Sequence, residues 1–172
     1  MANRGERRYD GLVVNVDVRD VQLPDGRQGK FEVVRHPGGS AVAAVDAERR
    51  VCLLKQLRPA VDQWIIELPA GKLEPGESPE STARRELIEE AGVDAARWQS
   101  LGAILSSPGV FTEVIHLYLA TELSAQSSKP EAGEFFTVSW EPLDEACRRA
   151  LRGDIDDAKT VIGLLRAQAA MR

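Results

Sequence analysis

Of the six glutamates in one short stretch, GKLEPGESPESTARRELIEEAGV from Gly71 to Val93, four could do chemistry together: Glu77, then Glu86, Glu89 and Glu90. The last three stand at spacings of three and four, so a helix would stack their carboxylates on one face. Carboxylates about 5–6 Å apart repel by roughly 3 kcal/mol at an effective dielectric near 20. Water, protonation or cations can relieve that repulsion. For an arbitrary E-x-x-E-E helix the ordinary outcome is a solvated acidic face. Here the Gly- and Pro-rich loop in front adds a further acid, Glu77. Arg85, four residues before Glu89, can fix one carboxylate and leave the others for ligation. Oxygen donors without Cys or His suit a hard cation, Mg²⁺ first and Mn²⁺ second.

The element carrying these acids is predicted as a helix over 79–91. Ser78 can cap it, Pro79 fits the first position, Glu80 favours the positive end of the dipole, and Gly92 is a stop. Ala83, Leu87 and Ala91 form the apolar stripe next to the acids and should face a core. Upstream, Leu12–Val21 alternates like a half-buried strand, Pro24-Asp25-Gly26 marks a turn, and Lys30–Arg35 returns, which makes a hairpin or short meander. Residues 1–8 are polar and Arg-rich, and are expected to be disordered or draped on a partner. Ser40–Val45 and Val51–Gln56 are apolar on both faces, as central strands are. Trp64–Leu68 is a strand that delivers Pro69-Ala70-Gly71 into the acidic segment. Trp98–Ser106, Glu113–Thr121 and Glu134–Trp140 are further strands, with a polar loop over Ser124–Gly133. Amphipathic helices follow over Pro142–Leu151 and Asp156–Gln168, with Asp156 as the cap of the second. Strands interleaved with a few helices and several hairpin links give an α+β chain, a mixed αβα sandwich.

Gly71, Glu77, Arg85, Glu86, Leu87, Glu89, Glu90, Gly92 and Val93 fill every fixed position of G-x5-E-x7-R-E-U-x-E-E-x-G-U, where U is bulky and aliphatic. The stretch therefore resembles the Nudix box. The resemblance implies the Nudix fold, a mixed β-sheet between helices, and a Mg²⁺-dependent hydrolase that cuts a nucleoside diphosphate linked to another group. It implies metal ligation by Glu86, Glu89, Glu90 and the backbone carbonyl of Ala70, with Glu77 as a supporting or occasional ligand. Arg85 would orient a glutamate, and Glu89 counts with it among the catalytic residues. The general base implied by the ADP-ribose pyrophosphatase branch is Glu134, in a G-E-F context, with Glu131 as the alternative. ELPAGK at Glu67–Lys72 and Pro108, sixteen positions after Gly92, also look like that branch. Arg58 is a candidate phosphate clamp, because guanidinium matches phosphate oxygens bidentately. Glu67, Pro108, Gly109 and Glu113 complete the candidate substrate-binding set, while Tyr9 and Phe31 are the aromatics available to stack a base.

Carried over whole, the resemblance divides the chain into an N-terminal extension, 1–38, and a Nudix domain, 39–172. It expects a homodimer with exchanged N-terminal strands and a nucleotide-sugar substrate, ADP-ribose or a relative. GDP-mannose or another sugar nucleotide is the alternative, and a non-catalytic nucleotide-sensing domain is a further one. Net charge −5 argues against nucleic acid as a bulk partner. At 172 residues and 43% hydrophobic content the chain can bury a full core. No apolar run reaches the length of a membrane helix. The charged N-terminus shows no signal peptide, so a cytoplasmic protein is expected. Cys52 and Cys147, far apart and without metal spacing, are expected as reduced packing residues.

Overall fold

Small residues around a single valine in GSAVAA produce the most enclosed strand among the described residues. In the computed structural model, which describes residues 5–128 and 135–172, every residue of β4 (Gly39–Ala44) is buried. Successive side chains of a strand point to opposite faces. Ala41 and Ala43 accordingly join one apolar cluster with Leu53, Leu68, Leu117, Leu143, Cys147 and Leu164. Val42 and Ala44 join a second, with Cys52, Ala83, Leu87 and Ala120. The first cluster takes in α2 (Leu143–Arg152) and α3 (Ala158–Ala170), the second α1 (Pro79–Ala91). β4 is thus the middle layer of an αβα sandwich, as its two apolar faces required.

Around β4 lies a mixed sheet in the order β7-β4-β9-β8, built from β7 (Ala70–Lys72), β9 (Val114–Ala125) and β8 (Val93–Leu105). β4 runs parallel to β9, with Gly39 opposite Ile115, and antiparallel to β7, with Ala41 opposite Ala70. A second sheet has the order β10-β5-β6, from β10 (Phe136–Pro142), β5 (Arg50–Arg58) and β6 (Gln63–Glu67). Its pairs are antiparallel, and Leu54 stands opposite Glu67.

The chain divides into two units, one of 39–104 with 115–172 and one of 1–38 with 105–114. The smaller holds a three-stranded antiparallel meander of β1 (Glu6–Asp10), β2 (Asn15–Gln22) and β3 (Gln28–Arg35). Asp17, only 3% exposed, ties it together by accepting Arg7 Nε and Arg35 Nε, each at 2.5 Å. These two guanidiniums, Arg35 first, hold its carboxyl below the usual range. In the same unit the 105–114 segment lies along β3, with Val34 N–H donating to Val110 O at 2.7 Å.

Several boundaries differ from the sequence reading. Glu6–Asp10 is a strand rather than a disordered tail, because Arg7 has Asp17 to meet. β7 forms where a loop was expected, since β4 offers it an edge. β8 starts at Val93, directly after the helix, rather than at Trp98. β9 continues to Ala125, into the expected polar loop. The cap of α3 is Asp157, whose side chain accepts from Thr160 N, rather than Asp156. Both cysteines are buried and unlinked. Burial pushes the Cys52 thiol up to about 12 and the Cys147 thiol to about 11. No helix among the described residues is long and apolar enough to cross a membrane.

Candidate active site

The helix that carries the acids forms as its sequence dictates. Ser78 Oγ accepts from Ser81 N, Pro79 opens the helix, and Gly92 closes it at φ 64°, donating to Ile88 O. This left-handed conformation is available to glycine at little cost. Ala83 and Leu87 are fully buried. At the entry, Ser40 Oγ of β4 donates to Pro79 O at 2.7 Å and fixes the first turn against the sheet. At the exit, Ser128 Oγ donates to Glu89 O at 2.6 Å.

The acids are not an open face. Glu86 is 8% exposed and Glu90 only 1%. Burial of carboxylates is sustained only by partners with charge or well-aimed donors. Arg85 is the principal one. Its Nε lies 3.0 Å from Glu77 Oε1 and its Nη2 3.1 Å from Glu77 Oε2, while Nη1 reaches Glu86 Oε1 at 2.7 Å and Glu89 Oε2 at 3.0 Å. The sequence reading gave this arginine one carboxylate to hold; it holds three. Such sharing raises the Arg85 pKa, the Glu77 hydrogen bond contributing most. Glu77, which also accepts from Thr82 Oγ1 at 2.7 Å, is held down at about 2, chiefly by Arg85.

Glu90 has a different task. Its Oε2 accepts the backbone N–H of Ala70 at 2.9 Å. The two preceding residues are held as well: Leu68 N–H donates to Thr160 Oγ1 at 2.8 Å, and Pro69 O accepts from Val42 N–H at 2.9 Å. Three consecutive residues, Leu68, Pro69 and Ala70, are therefore held from three elements just before Gly71. An added Cβ at Gly71 would fall 1.7 Å from Glu86 Oε1 and 2.0 Å from its carboxyl carbon. Any side chain at position 71 would have to displace the Glu86 carboxylate, which occupies that volume.

Whether this donor set fits a divalent cation can be judged from its chemistry. Glu86 and Glu89 already share one cationic group, Arg85 Nη1, so a single charge can serve both oxygens. Glu90 and the Ala70 peptide meet beside them, and all donors are oxygens, which suits a hard ion. No ready cage of three or more acidic, Cys or His side chains exists among the described residues. The set fits a site that Arg85 holds together and that a cation would share with it.

Arg58 and Glu67 also meet. Arg58 Nε and Nη2 donate to the two Glu67 oxygens at 2.6 and 2.7 Å, and Lys159 Nζ donates to Glu67 Oε2 at 2.5 Å. Glu67, placed by the sequence among substrate-binding residues, is fully buried with both oxygens engaged. Burial pushes its carboxyl up, but Arg58 and Lys159 outweigh that and its pKa lies below the ordinary value. Lys159 had no signal that sequence reasoning could use, since it lies 92 residues from its partner. Pro108, Gly109 and Glu113 belong to the smaller unit, where Glu113 Oε1 is 3.2 Å from His36 Nδ1. Tyr9 and Phe31 are 58% and 42% exposed in that unit. Glu131 and Glu134, the two candidate bases, lie outside the described residues.

Comparison with known proteins meets this geometry from another side. The chain is 41% identical over 161 residues to the ADP-ribose pyrophosphatase of Bacillus subtilis (strain 168), covering 92% of this chain and 87% of that protein. It is 40% identical over 171 residues to the methanol dehydrogenase activator of Bacillus methanolicus, covering 97% and 92%. A crystal structure described as an ADP compounds hydrolase superposes with a TM-score of 0.83 at 22% identity, over 96% of this chain and 90% of that one, and so shares the fold. The NUDIX domain family matches residues 34–163, and with that match and relatives at 40–41% identity over more than nine-tenths of this chain, the chain belongs to the Nudix family.

Proposed function

We propose that this protein hydrolyses the pyrophosphate bond of ADP-ribose or a related nucleoside diphosphate sugar, with Mg²⁺, to give AMP (or another nucleoside monophosphate) and a sugar phosphate. The observation that carries the reading is Arg85 Nη1 shared between Glu86 and Glu89, a cluster built to exchange positive charge. The likeness to the Bacillus subtilis ADP-ribose pyrophosphatase supports the substrate class. Nudix hydrolases as a family use a divalent metal, and Mg²⁺ is the ion that best suits a small all-oxygen set.

Cleaving a diphosphate demands neutralised phosphoryl oxygens, an activated water and a stabilised leaving phosphate. When bound, the divalent ion supplies charge neutralisation and a lowered pKa for its water. The protein does the rest by position. Glu86, Glu89, Glu90 and the Ala70 carbonyl would hold the ion; Arg85 positions the first two, and Glu77 anchors Arg85. Glu90 accepts the Ala70 N–H and so holds the Pro69–Ala70 peptide, the one just before the Ala70 carbonyl. Arg58 binds a phosphoryl oxygen, and Glu134, with Glu131 as alternative, takes the proton of the attacking water. Residues 1–38 act as a dimer-forming extension of the 39–172 catalytic domain. Exposed Tyr9, Leu12, Val13 and Phe31 give that extension apolar surface for a second copy of the chain. Pro108, Gly109 and Glu113 contact substrate, and the protein works in the cytoplasm.

A panel of ADP-ribose, ADP-glucose and GDP-mannose with Mg²⁺, read by phosphate release after added phosphatase, tests the reaction and its specificity together. Turnover is expected on at least one, highest on ADP-ribose, and abolished by chelator. Parental rates from folded Glu89→Gln and Glu90→Gln proteins, or indifference to the chelator, would sink the proposal.

A further inference from the structure

Glu67 is sealed from water yet answers to two cations. Its side chain is 1% exposed, while that of Lys159 is 13% and that of Arg58 38%. The exposure gradient ranks the three: the acid is deepest, Lys159 next, and Arg58 nearest the solvent. Arg58 grips Glu67 side-on, through Nε and Nη2. A guanidinium has five N–H donors in a rigid planar fork. Side-on engagement spends two, leaving the Nη1–Nη2 edge with donors for a second oxyanion.

Lys159 does not need Glu67 as its only counter-ion, because Asp157 Oδ2 lies 3.0 Å from its Nζ. The same Asp157 caps α3 through Thr160 N and accepts Thr160 Oγ1 at 2.6 Å, and that hydroxyl receives the Leu68 N–H. One connected chain of hydrogen bonds and ion pairs therefore runs from Arg58 through Glu67, Lys159, Asp157 and Thr160 to the Leu68 N–H. Arg58 is also within electrostatic reach of Glu90.

We propose that Glu67 and Lys159 are a positioning pair for Arg58: the carboxylate fixes the guanidinium plane with its remaining edge toward a phosphoryl oxygen, and the ammonium carries part of the Glu67 charge so that Arg58 keeps positive potential for that oxygen. Without Lys159 the whole charge of the buried acid falls on Arg58, which is drawn inward and neutralised. This rests on the diphosphate reading, and it assigns Glu67 a role without substrate contact.

Two readouts separate this inference from that reading. In the hydrolysis assay Lys159→Met is expected to raise KM about tenfold, the scale of one weakened charge-assisted hydrogen bond, while kcat falls less than threefold. Calorimetric titration with ADP and Mg²⁺ is expected to show a matching rise in Kd without any need for turnover. Lys159→Gln should behave alike, and Lys159→Arg should restore both values to within threefold of the parent. Combining Lys159→Met with Arg58→Ala should weaken ADP no further than Arg58→Ala alone, because the pair acts through that arginine. Parental ADP affinity in Lys159→Met, multiplying losses in the double variant, or failure of both neutral Lys159 variants to fold would overturn the proposal. A protein that hydrolyses nothing in the panel but gives the expected ADP isotherms would refute the reaction and leave the positioning pair standing.

Discussion

Replacing Glu77 by Gln removes one negative charge from the acid cluster and little else. The amide still offers an oxygen to Thr82 Oγ1, now at 2.7 Å, but it no longer forms an ion pair with Arg85 at 3.0 Å. A carboxyl held at about 2 rather than its ordinary 4.5 corresponds by linkage to about 3.4 kcal/mol at neutral pH, at 1.36 kcal/mol per factor of ten. The Glu77 side chain is 22% exposed, and solvent screening of such a pair brings the expected loss to about 1–2 kcal/mol. The sign follows from the depressed value. Glu77 contributes its full stabilisation above pH 4.5, where the unfolded chain is ionised too, and loses it as pH falls toward 2. Urea unfolding of parent and Glu77→Gln, in chelator, at steps from pH 7 to pH 3, measures this. The gap should be constant from pH 7 to about pH 5.5 and shrink steadily below 4.5. A gap that is flat down to pH 3, or smaller than about 0.3 kcal/mol at pH 7, would refute the idea that Arg85 is the counter-ion that sets Glu77.

Gly71→Ala should lower kcat by about a hundredfold or more through displacement of Glu86, whose Oε1 lies 1.7 Å from the added Cβ; a variant with parental kcat counts against the placement of that carboxylate. Thr160→Val keeps the volume but strands the buried Leu68 N–H, and should cost about 1–3 kcal/mol in urea unfolding. Glu134→Gln should reduce kcat by roughly a hundredfold with folding intact, as expected for loss of a general base. Glu131→Gln should leave most of the rate, and the reverse ranking would move the base to Glu131.

Near neighbours along the chain encode what the sequence makes legible. The 79–91 helix can be read in full from its own residues, because its cap, its first-position proline and its terminal glycine are local signals. β4 and β5 are legible because strands buried on both faces must be apolar throughout. β7 is not, since three residues become a strand only when Ala41 lies opposite Ala70. The site divides the same way. Spacing puts Glu86, Glu89, Glu90 and Arg85 on one helix. Burial of Glu86 and Glu90 does not follow from it, because helical spacing says which residues share a face and nothing about what covers it. The Glu67–Lys159 pair and the Thr160 hydroxyl under Leu68 span 92 residues each, and only the closed fold makes them neighbours.

The parallel pairing of β4 with β9 carries a consequence for the order of assembly. Gly39 waits for Ile115, so 115 − 39 = 76 residues must be added before the middle strand gains that neighbour. Such distant closure is slow, because its entropic cost falls due before its contacts form. During synthesis the acid-bearing helix emerges long before the strand that completes its floor. Until β9 arrives, β4 presents an apolar ribbon with an unfilled edge, and that interval is when a nascent chain of this protein is most exposed to misassociation with others.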